Sequence, residues 1–324
     1  MTEHQRVLVT GMGGVLGTRV AQLLEARDDI AEIHGIDFVP PRRRLRRAEF
    51  HRIDPRQRER LRDFVLEYRP THVVHFGVYE PASRMSPSAA AERSEQCAAT
   101  ALAAAGRAGA LQGVVVRSGL EVYGRSRAVS VPDESVPPAP GSGYGSTLLR
   151  VEAIGAGVGR RHDVPVANLR FAPIVGSHVP SPLGRLLRLP AVPVSATNDP
   201  PFSLLHPEDA CRATVAALVR GVDGPVNVVG PGAVTPWQAV RLGGRVPIPV
   251  LPFAWGAATS IVEVMGAAIA DHVVELLRQG RTASASHSTE TLDLGRIKST
   301  REVIEELFEW AEIVPIDRAR EAAA

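Results

Sequence analysis

The sequence predicts an α/β fold built on a doubly wound parallel sheet. Three observations predict it. Val7 to Thr10 reads as a short buried strand, Gly11, Gly14 and Gly17 follow at once, and Val15, Leu16, Val20, Leu23 and Leu24 recur at helical spacing. Apolar strands alternate with helical segments as far as Phe171, the pattern of parallel strands joined by crossover helices. Gly113 to Ser118 (GVVVRS) is an apolar run of the kind a strand covered on both faces should show.

The glycine turn organises the rest. Gly11 makes the tight turn off the strand, Gly14 lets the backbone approach a pyrophosphate, and Gly17 lets the helix lie close on the sheet. The helix N-terminus offers free N–H groups and a positive dipole end to phosphates. A Rossmann-type dinucleotide site is the reading, and a glycine-rich turn without a ligand is the alternative. Ile33 to Asp37 follows as the second strand. An acid at its end, about 20 residues past the glycines, is placed to accept both ribose hydroxyls. Asp37 thus favours NAD over NADP, whose 2′-phosphate would meet a like charge. The next loop holds Arg42, Arg43, Arg44, Arg46 and Arg47. It reads as a phosphate clamp or as a solvated loop, and Asp37 favours the second.

Ile53 and Asp54 end a short third strand, and Pro55 opens a helix to about Arg69. His72 to Phe76 is the fourth strand; His72 and His75 point to opposite faces and cannot share a metal. With no HExxH or CxxC in the chain, no metal is expected. Ala89 to Gly109 and Tyr144 to Arg160 read as helices, Pro132 to Gly143 as a loop, and Val164 to Phe171 as the sixth strand. Beyond Gly176, Pro180, Pro182, Pro190, Pro193, Pro200 and Pro201 keep regular structure short. His206 to Arg220 (helix) and Val226 to Val229 (strand) return to the first domain, and Pro247 to Pro252 reads as an extended break. Phe253 to Leu277 is an amphipathic helix rather than a membrane span, because it carries Glu263, Asp271, His272 and Glu275. Lying on a membrane surface is the lesser alternative. Arg318 to Ala324 is expected to fray.

The length of 324 residues suits about two domains. The expected division is a dinucleotide domain over 1–176, with 203–232 returning to it or to its edge. Residues 177–202 and 233–324 then form a smaller C-terminal substrate-binding domain. A net charge of +2 makes no case for nucleic acid. Lys298 is the only lysine, which leaves few candidates for a catalytic amine. Cys97 and Cys211 read as buried free thiols in a reducing compartment, and the absence of a basic-plus-apolar leader points to the cytoplasm.

Together these stretches resemble the extended short-chain dehydrogenases/reductases, and within them the UDP-glucose 4-epimerase and sugar-nucleotide dehydratase group. The resemblance rests on TGMGGVLG (10–17), GID (35–37), RID (52–54), SGLEVYG (118–124), DESVPPAPGSGYG (133–145), LRFAPIVG (169–176), LLHPEDA (204–210) and VNVVG (226–230), in family order. The remainder resembles a divergent branch of such proteins from high-GC Gram-positive bacteria. The resemblance implies a cofactor site at Gly11, Gly13, Gly14, Val15, Leu16 and Gly17, with Asp37 and Phe38 at the ribose and Ile53 and Asp54 beside the adenine. It lines the cleft with Phe76, Gly77 and Val78, adds Ser118 and Tyr144, and puts Phe171, Ala172 and Pro173 near the nicotinamide. A nucleotide sugar would lie between the domains. A homodimer through Ala89 to Gly109 and Tyr144 to Arg160, packed as a four-helix bundle, is also implied.

The catalytic set departs from that pattern. The family's Ser or Thr is Gly119 here, and its Tyr-x-x-x-Lys reads Tyr144 to Leu148. A phenol with an ordinary pKa of about 10 is ionised in roughly one molecule in a thousand at neutral pH. A lysine one turn on would correct this; Leu148 cannot. Three substitutes are considered. Ser118 is one residue off register, Thr147 shares the helix face of Tyr144 but offers only a hydroxyl, and Arg117 shares the strand face of position 119. Arg117 could supply the missing charge or could pair with Glu121 or Glu134. Three functions follow: an NAD-dependent nucleotide-sugar epimerase or dehydratase with an altered proton relay, a non-catalytic NAD(P)-binding scaffold or redox sensor, and a reductase of another small alcohol or ketone.

Overall fold

The computed structural model describes residues 5–81, 85–124, 131–264 and 269–309. The segment Arg318 to Ala324, expected to fray, lies outside them. Strand β1 (Gln5–Thr10) leads into helix α1 (Val15–Glu25) and strand β2 (Ile30–Asp37). Then come β3 (Glu49–Arg52), α2 (Arg58–Tyr68), β4 (His72–His75) and α3 (Pro87–Arg107). Strand β5 (Gly113–Gly119) is followed by α4 (Gly143–His162) and β6 (Val166–Phe171). The chain continues through α5 (Pro182–Leu187), β7 (Ala191–Ser195), α6 (Pro207–Arg220), β8 (Gly224–Val228), α7 (Pro236–Leu242) and β9 (Val246–Val250). It closes with α8 (Trp255–Val264), α9 (Asp271–Gln279), α10 (Ser286–Leu292) and α11 (Thr300–Phe308).

Among the described residues a seven-stranded sheet runs β3-β2-β1-β4-β5-β6-β8, every pair parallel. This is the Rossmann-type order, which reverses direction between β1 and β4 and opens a crevice there. Leu16, Val20, Ala21 and Leu24 form the buried stripe of α1. Full burial of one such aliphatic side chain is worth about 1.5–3 kcal/mol. A second core gathers Val175, Leu183, Leu186, Val192, Phe202, Leu204, Trp255, Leu276 and Ile304, apart from the core of the large sheet.

Several boundaries differ from expectation for local reasons. Strand β3 ends at Arg52, and the Ile53 N–H makes its last rung by donating to the Asp37 carbonyl at the end of β2. Helix α2 begins at Arg58, since Gln57 N–H donates to the Asp54 carbonyl and folds Pro55 to Gln57 into a turn. The PIPVLP break contains strand β9, paired in parallel with β7. The Val246 N–H donates to the Pro190 carbonyl, so the alternate positions Pro247 and Pro249 fall where no N–H is needed. The single helix expected over Phe253 to Leu277 is two, α8 and α9, with Ala270 extended at the start of the second. No described helix is long and apolar enough to cross a membrane.

The arginine loop is not simply solvated. The Arg47 guanidinium donates to the carbonyls of Leu24, Glu25 and Arg27, closing the C-terminal end of α1. The Glu25 carboxylate accepts the backbone N–H groups of Arg46, Arg47 and Ala48 in return.

Beneath the sheet edge, Glu152 of α4 accepts two hydrogen bonds from Arg170 of β6, with both side chains buried. Removing one partner of such a pair leaves an uncompensated charge. Glu152→Ala should therefore lower unfolding stability in urea by about 3–5 kcal/mol. Arg301→Ala, which removes an exposed pair with Glu305, should change it by less than about 1 kcal/mol.

Candidate functional site

The crevice between the ends of β1 and β4 is where the glycine turn lies. Gly11 has φ +72°, and a Cβ there would come within 2.5 Å of the Phe76 carbonyl oxygen. A Cβ on Gly17 would fall 2.2 Å from the Gly11 carbonyl oxygen, so only glycine lets α1 start this close to β1. No side chain caps α1 at Gly14, which leaves its first N–H groups to a ligand. Gly11, Gly13, Gly14, Val15, Leu16 and Gly17 all border one cleft of about 1310 Å³, its solvent-filled mouth included.

Asp37 stands at the end of β2, buried. Its carboxylate accepts N–H bonds from Gly13 (3.1 Å) and Phe38 (2.7 Å). Burial pushes the carboxyl up to about 6, while those N–H groups and Arg93 pull it back. The Val39 N–H also reaches it, so of about four lone-pair sites one stays open for a ribose hydroxyl. The glycine cradle, the uncapped helix start and this acid fit a dinucleotide. Phe38, Phe76, Val78, Phe171, Ala172 and Pro173 border the same cleft, with Arg42.

Three residues expected at the cofactor stand behind its lining. Ile53 is in the sheet core, and the Asp54 carboxylate holds Arg56 and Arg93. Gly77 donates its N–H to Thr10 Oγ1, and a Cβ there would meet the Cys97 sulfur. Both cysteines are buried and free, and burial pushes the Cys97 thiol up to about 12.

Tyr144 and Arg117 meet deeper in the cleft. The Arg117 Nη2 lies 3.5 Å from the Tyr144 hydroxyl, and Nη1 donates to the Val78 carbonyl at 3.1 Å. Among the described residues Arg117 pairs with neither Glu121 nor Glu134: the first binds Arg281, and the second accepts the Asn227 N–H. Burial holds the Tyr144 phenol well above its ordinary value. Arg117 is the strongest opposing influence, Glu80 and Glu121 raise it further, and Arg281 lowers it.

Two proposed catalytic hydroxyls are committed elsewhere. Ser118 donates to the Glu152 carboxylate at 2.5 Å, because strand alternation turns it away from the face of position 119. Thr147 donates to the Gly143 carbonyl of its own helix and accepts from Arg150. Each hydroxyl thus spends its proton within the fold, with Ser118 still bordering the cleft.

Position 119 itself is filled by neighbours. A Cβ on Gly119 would lie 2.2 Å from Glu121 Oε2 and 3.2 Å from a Leu148 methyl. The Glu121 carboxylate is held there by Arg281 at 2.9 Å, and Arg281 also reaches Glu275 at 3.3 Å. His272 packs on Tyr144, ring centroids 4.8 Å apart, and its Nε2 lies 3.1 Å from Glu80 Oε1.

Sequence reasoning missed Glu80, Glu121, His272 and Arg281, which border the cleft. Separations of 160 residues (Arg281–Glu121) and 192 (His272–Glu80) leave no local pattern to find. It also missed Arg93, whose guanidinium sits 4.4 Å over the Phe38 ring. Parallel pairing of β2 with β3 brings His34, Glu49 and His51 within 4.8 Å, a set with metal-ligand chemistry where none was expected. His34 and His51 lie 3.0 Å apart; His34 stacks with Phe64 and Tyr68, and His51 packs tilted against Phe64.

A profile of the NAD dependent epimerase/dehydratase family matches residues 7–230. The chain is 31% identical over 330 residues to the uncharacterized protein Rv0501 of Mycobacterium tuberculosis, covering 96% of this chain and 85% of that one. Its fold is similar to UDP-glucose 4-epimerase from Thermotoga maritima, solved with UDP-glucose, at TM-score 0.72, 17% identity, and 99% and 100% coverage of the two chains. The Bacillus cereus UDP-glucuronic acid 4-epimerase, solved with UDP-glucuronic acid and NAD, is similar at TM-score 0.71 and 18% identity, covering 94% of this chain and 98% of that one.

Two outcomes follow from the geometry. At pH 10 the absorption difference between this protein and Tyr144→Phe should show no phenolate, because Tyr144 stays protonated; a phenolate signal there would refute the burial argument. Gly119→Ser should cost about 1–3 kcal/mol in urea unfolding, since the new side chain must displace a carboxylate that Arg281 clamps.

Proposed function

This chain belongs to the NAD-dependent epimerase/dehydratase family, and on that premise we propose that it transiently oxidises a hydroxyl of a nucleotide sugar, with NAD held in the glycine cleft. The observation that carries the reading is the meeting of Arg117 with Tyr144 at the inner end of the cleft that Gly11 and Asp37 open. NAD, when bound, supplies the hydride acceptor. Gly11 to Gly17 would hold the pyrophosphate and Asp37 the adenosine ribose. The sugar would meet Tyr144, Arg117 and the residues that the second core presents.

Tyr144 acts in this reading as a hydrogen-bond donor to the reacting oxygen, not as its base. Its phenol is held un-ionised by burial. Arg117 adds a permanent positive charge that an alkoxide or a polarised carbonyl oxygen would feel. The family's lysine has this electrostatic effect and can also relay a proton; the arginine keeps only the first. One observation favours the second reading, an NAD-holding scaffold without turnover. Leu148 and the Glu121 carboxylate fill the space that a catalytic hydroxyl at position 119 would need.

NAD at a hundredfold its dissociation constant should stabilise the protein by about 2.7 kcal/mol, read as an upward shift in melting temperature. Gly14→Val should abolish that shift. Assayed with UDP-glucose and UDP-glucuronic acid, Arg117→Met should lower turnover by about 10²–10³-fold and leave NAD affinity unchanged. Wild-type protein that binds NAD but turns over neither sugar would support the scaffold.

The Asp37 carboxyl gives a pH dependence. Its folded value of about 6 lies above the usual carboxylate range, so the folded apoprotein keeps a proton that the unfolded chain has lost. Its contribution to stability therefore falls as pH rises from about 4 to about 6. NAD needs the ionised form as acceptor, so its affinity should move the other way. Calorimetric titration should find binding roughly tenfold weaker at pH 5 than at pH 7. A flat profile would remove Asp37 from the ribose.

A further inference from the structure

We propose that His272 is a catalytic residue whose Nδ1 takes the proton of the substrate hydroxyl. The proposal rests on the reading that the cleft accepts NAD and a nucleotide sugar. It answers the question that a protonated Tyr144 leaves open, namely which group is the base.

His272 lies in the first turn of α9, 3% exposed, and borders the cleft beside Tyr144. Its Nε2 lies 3.1 Å from Glu80 Oε1. With Glu80 as the acceptor in this pair, Nε2 is the donor, which is the tautomer the proposal assigns. In the neutral ring Nδ1 is then a bare acceptor. That atom is buried and has no hydrogen-bond partner among the described residues. Native folds rarely leave such an atom unpaired, and a functional site is one of the recognised exceptions.

The surroundings suit proton transfer. Glu80 faces the ring from the loop after β4, and Tyr144 faces it from α4. Arg281 Nη2 lies 3.4 Å from the His272 carbonyl oxygen, with Glu121 and Glu275 bound to the same guanidinium. Arg117 lies beyond, at the Tyr144 hydroxyl. An imidazole backed by a carboxylate has a fixed tautomer and a stabilised protonated form, which is the arrangement a general base requires. Imidazole is also the side chain that most readily exchanges a proton near neutral pH.

The step balances as follows. The substrate O–H bond breaks and its proton goes to Nδ1, making an imidazolium beside the Glu80 carboxylate. NAD, when bound, would take up the carbinol C–H electron pair as hydride while the C=O bond forms. Tyr144 remains a phenol and donates to the same oxygen. The reverse step returns proton and hydride to the sugar.

The test begins with nitrogen NMR of ¹⁵N-histidine-labelled protein at neutral pH, with the His272 signals identified by their loss in His272→Gln. We expect a proton on Nε2, a bare Nδ1, and a Nδ1 resonance that moves when UDP-glucose or UDP-glucuronic acid is added to the NAD-loaded protein. His272→Gln should then slow turnover by about 10²–10⁴-fold, with NAD affinity kept. Glu80→Gln should weaken the tautomer preference and slow turnover less. A proton resident on Nδ1, or a Nδ1 signal unmoved while calorimetry shows the sugar nucleotide bound, would overturn the proposal. Absence of NAD or sugar-nucleotide binding by calorimetry would overturn the underlying reading instead. The tautomer, measured without ligand, would still decide whether Nδ1 is bare and able to act as a base.

Discussion

The buried ion pair between Arg281 and Glu121 sets the shape of the cleft. Both side chains are less than a tenth exposed, and they join the segment after α9 to the turn after β5. Breaking such a pair from one side strands a charge, so each partner holds the other in place. Glu121 in turn occupies the space above Gly119, which is why a hydroxyl-bearing residue does not fit there. Leu148 adds to this, because its methyl group would lie 3.2 Å from a Cβ at that position. Glu121 and Leu148 together thus fill the space above Gly119, and Arg281 holds the carboxylate there.

The same charges act on the phenol. Tyr144 is surrounded by Arg117 and Arg281 on the positive side and by Glu80 and Glu121 on the negative side. With these charges opposing one another, burial decides, and the phenol stays protonated. Glu121 thus raises the barrier to phenolate both by its charge and by the side chains that it excludes.

At the other end of the cleft Asp37 shows a similar use of burial. Its carboxylate is taken out of water by the sheet and compensated by the backbone N–H groups of Gly13 and Phe38. The same hydrogen bonds order the glycine turn before any ligand arrives. Preorganisation of this kind lowers the entropy lost when a dinucleotide binds.

The sequence alone determined the parallel sheet, because strand length, helical spacing and the glycine turn are local and each residue's neighbours along the chain suffice to read them. It determined the cleft residues Gly11, Gly14, Gly17 and Asp37 for the same reason; a family resemblance pointed to Tyr144, and strand alternation placed Arg117 on the face of position 119 and Ser118 on the other. It misjudged PIPVLP, since prolines lower strand propensity and only pairing with β7 shows that their missing N–H groups are not needed. It could not see that Arg47 closes α1, or that parallel register gathers His34, Glu49 and His51. Tertiary structure alone decided the rest of the site. Glu80 with His272, and Glu121 with Arg281, are pairs whose members lie far apart in sequence and meet only because the second core packs across the end of the sheet. Charge and proton affinity inside a buried cleft depend on such meetings, and no local pattern in the chain encodes them.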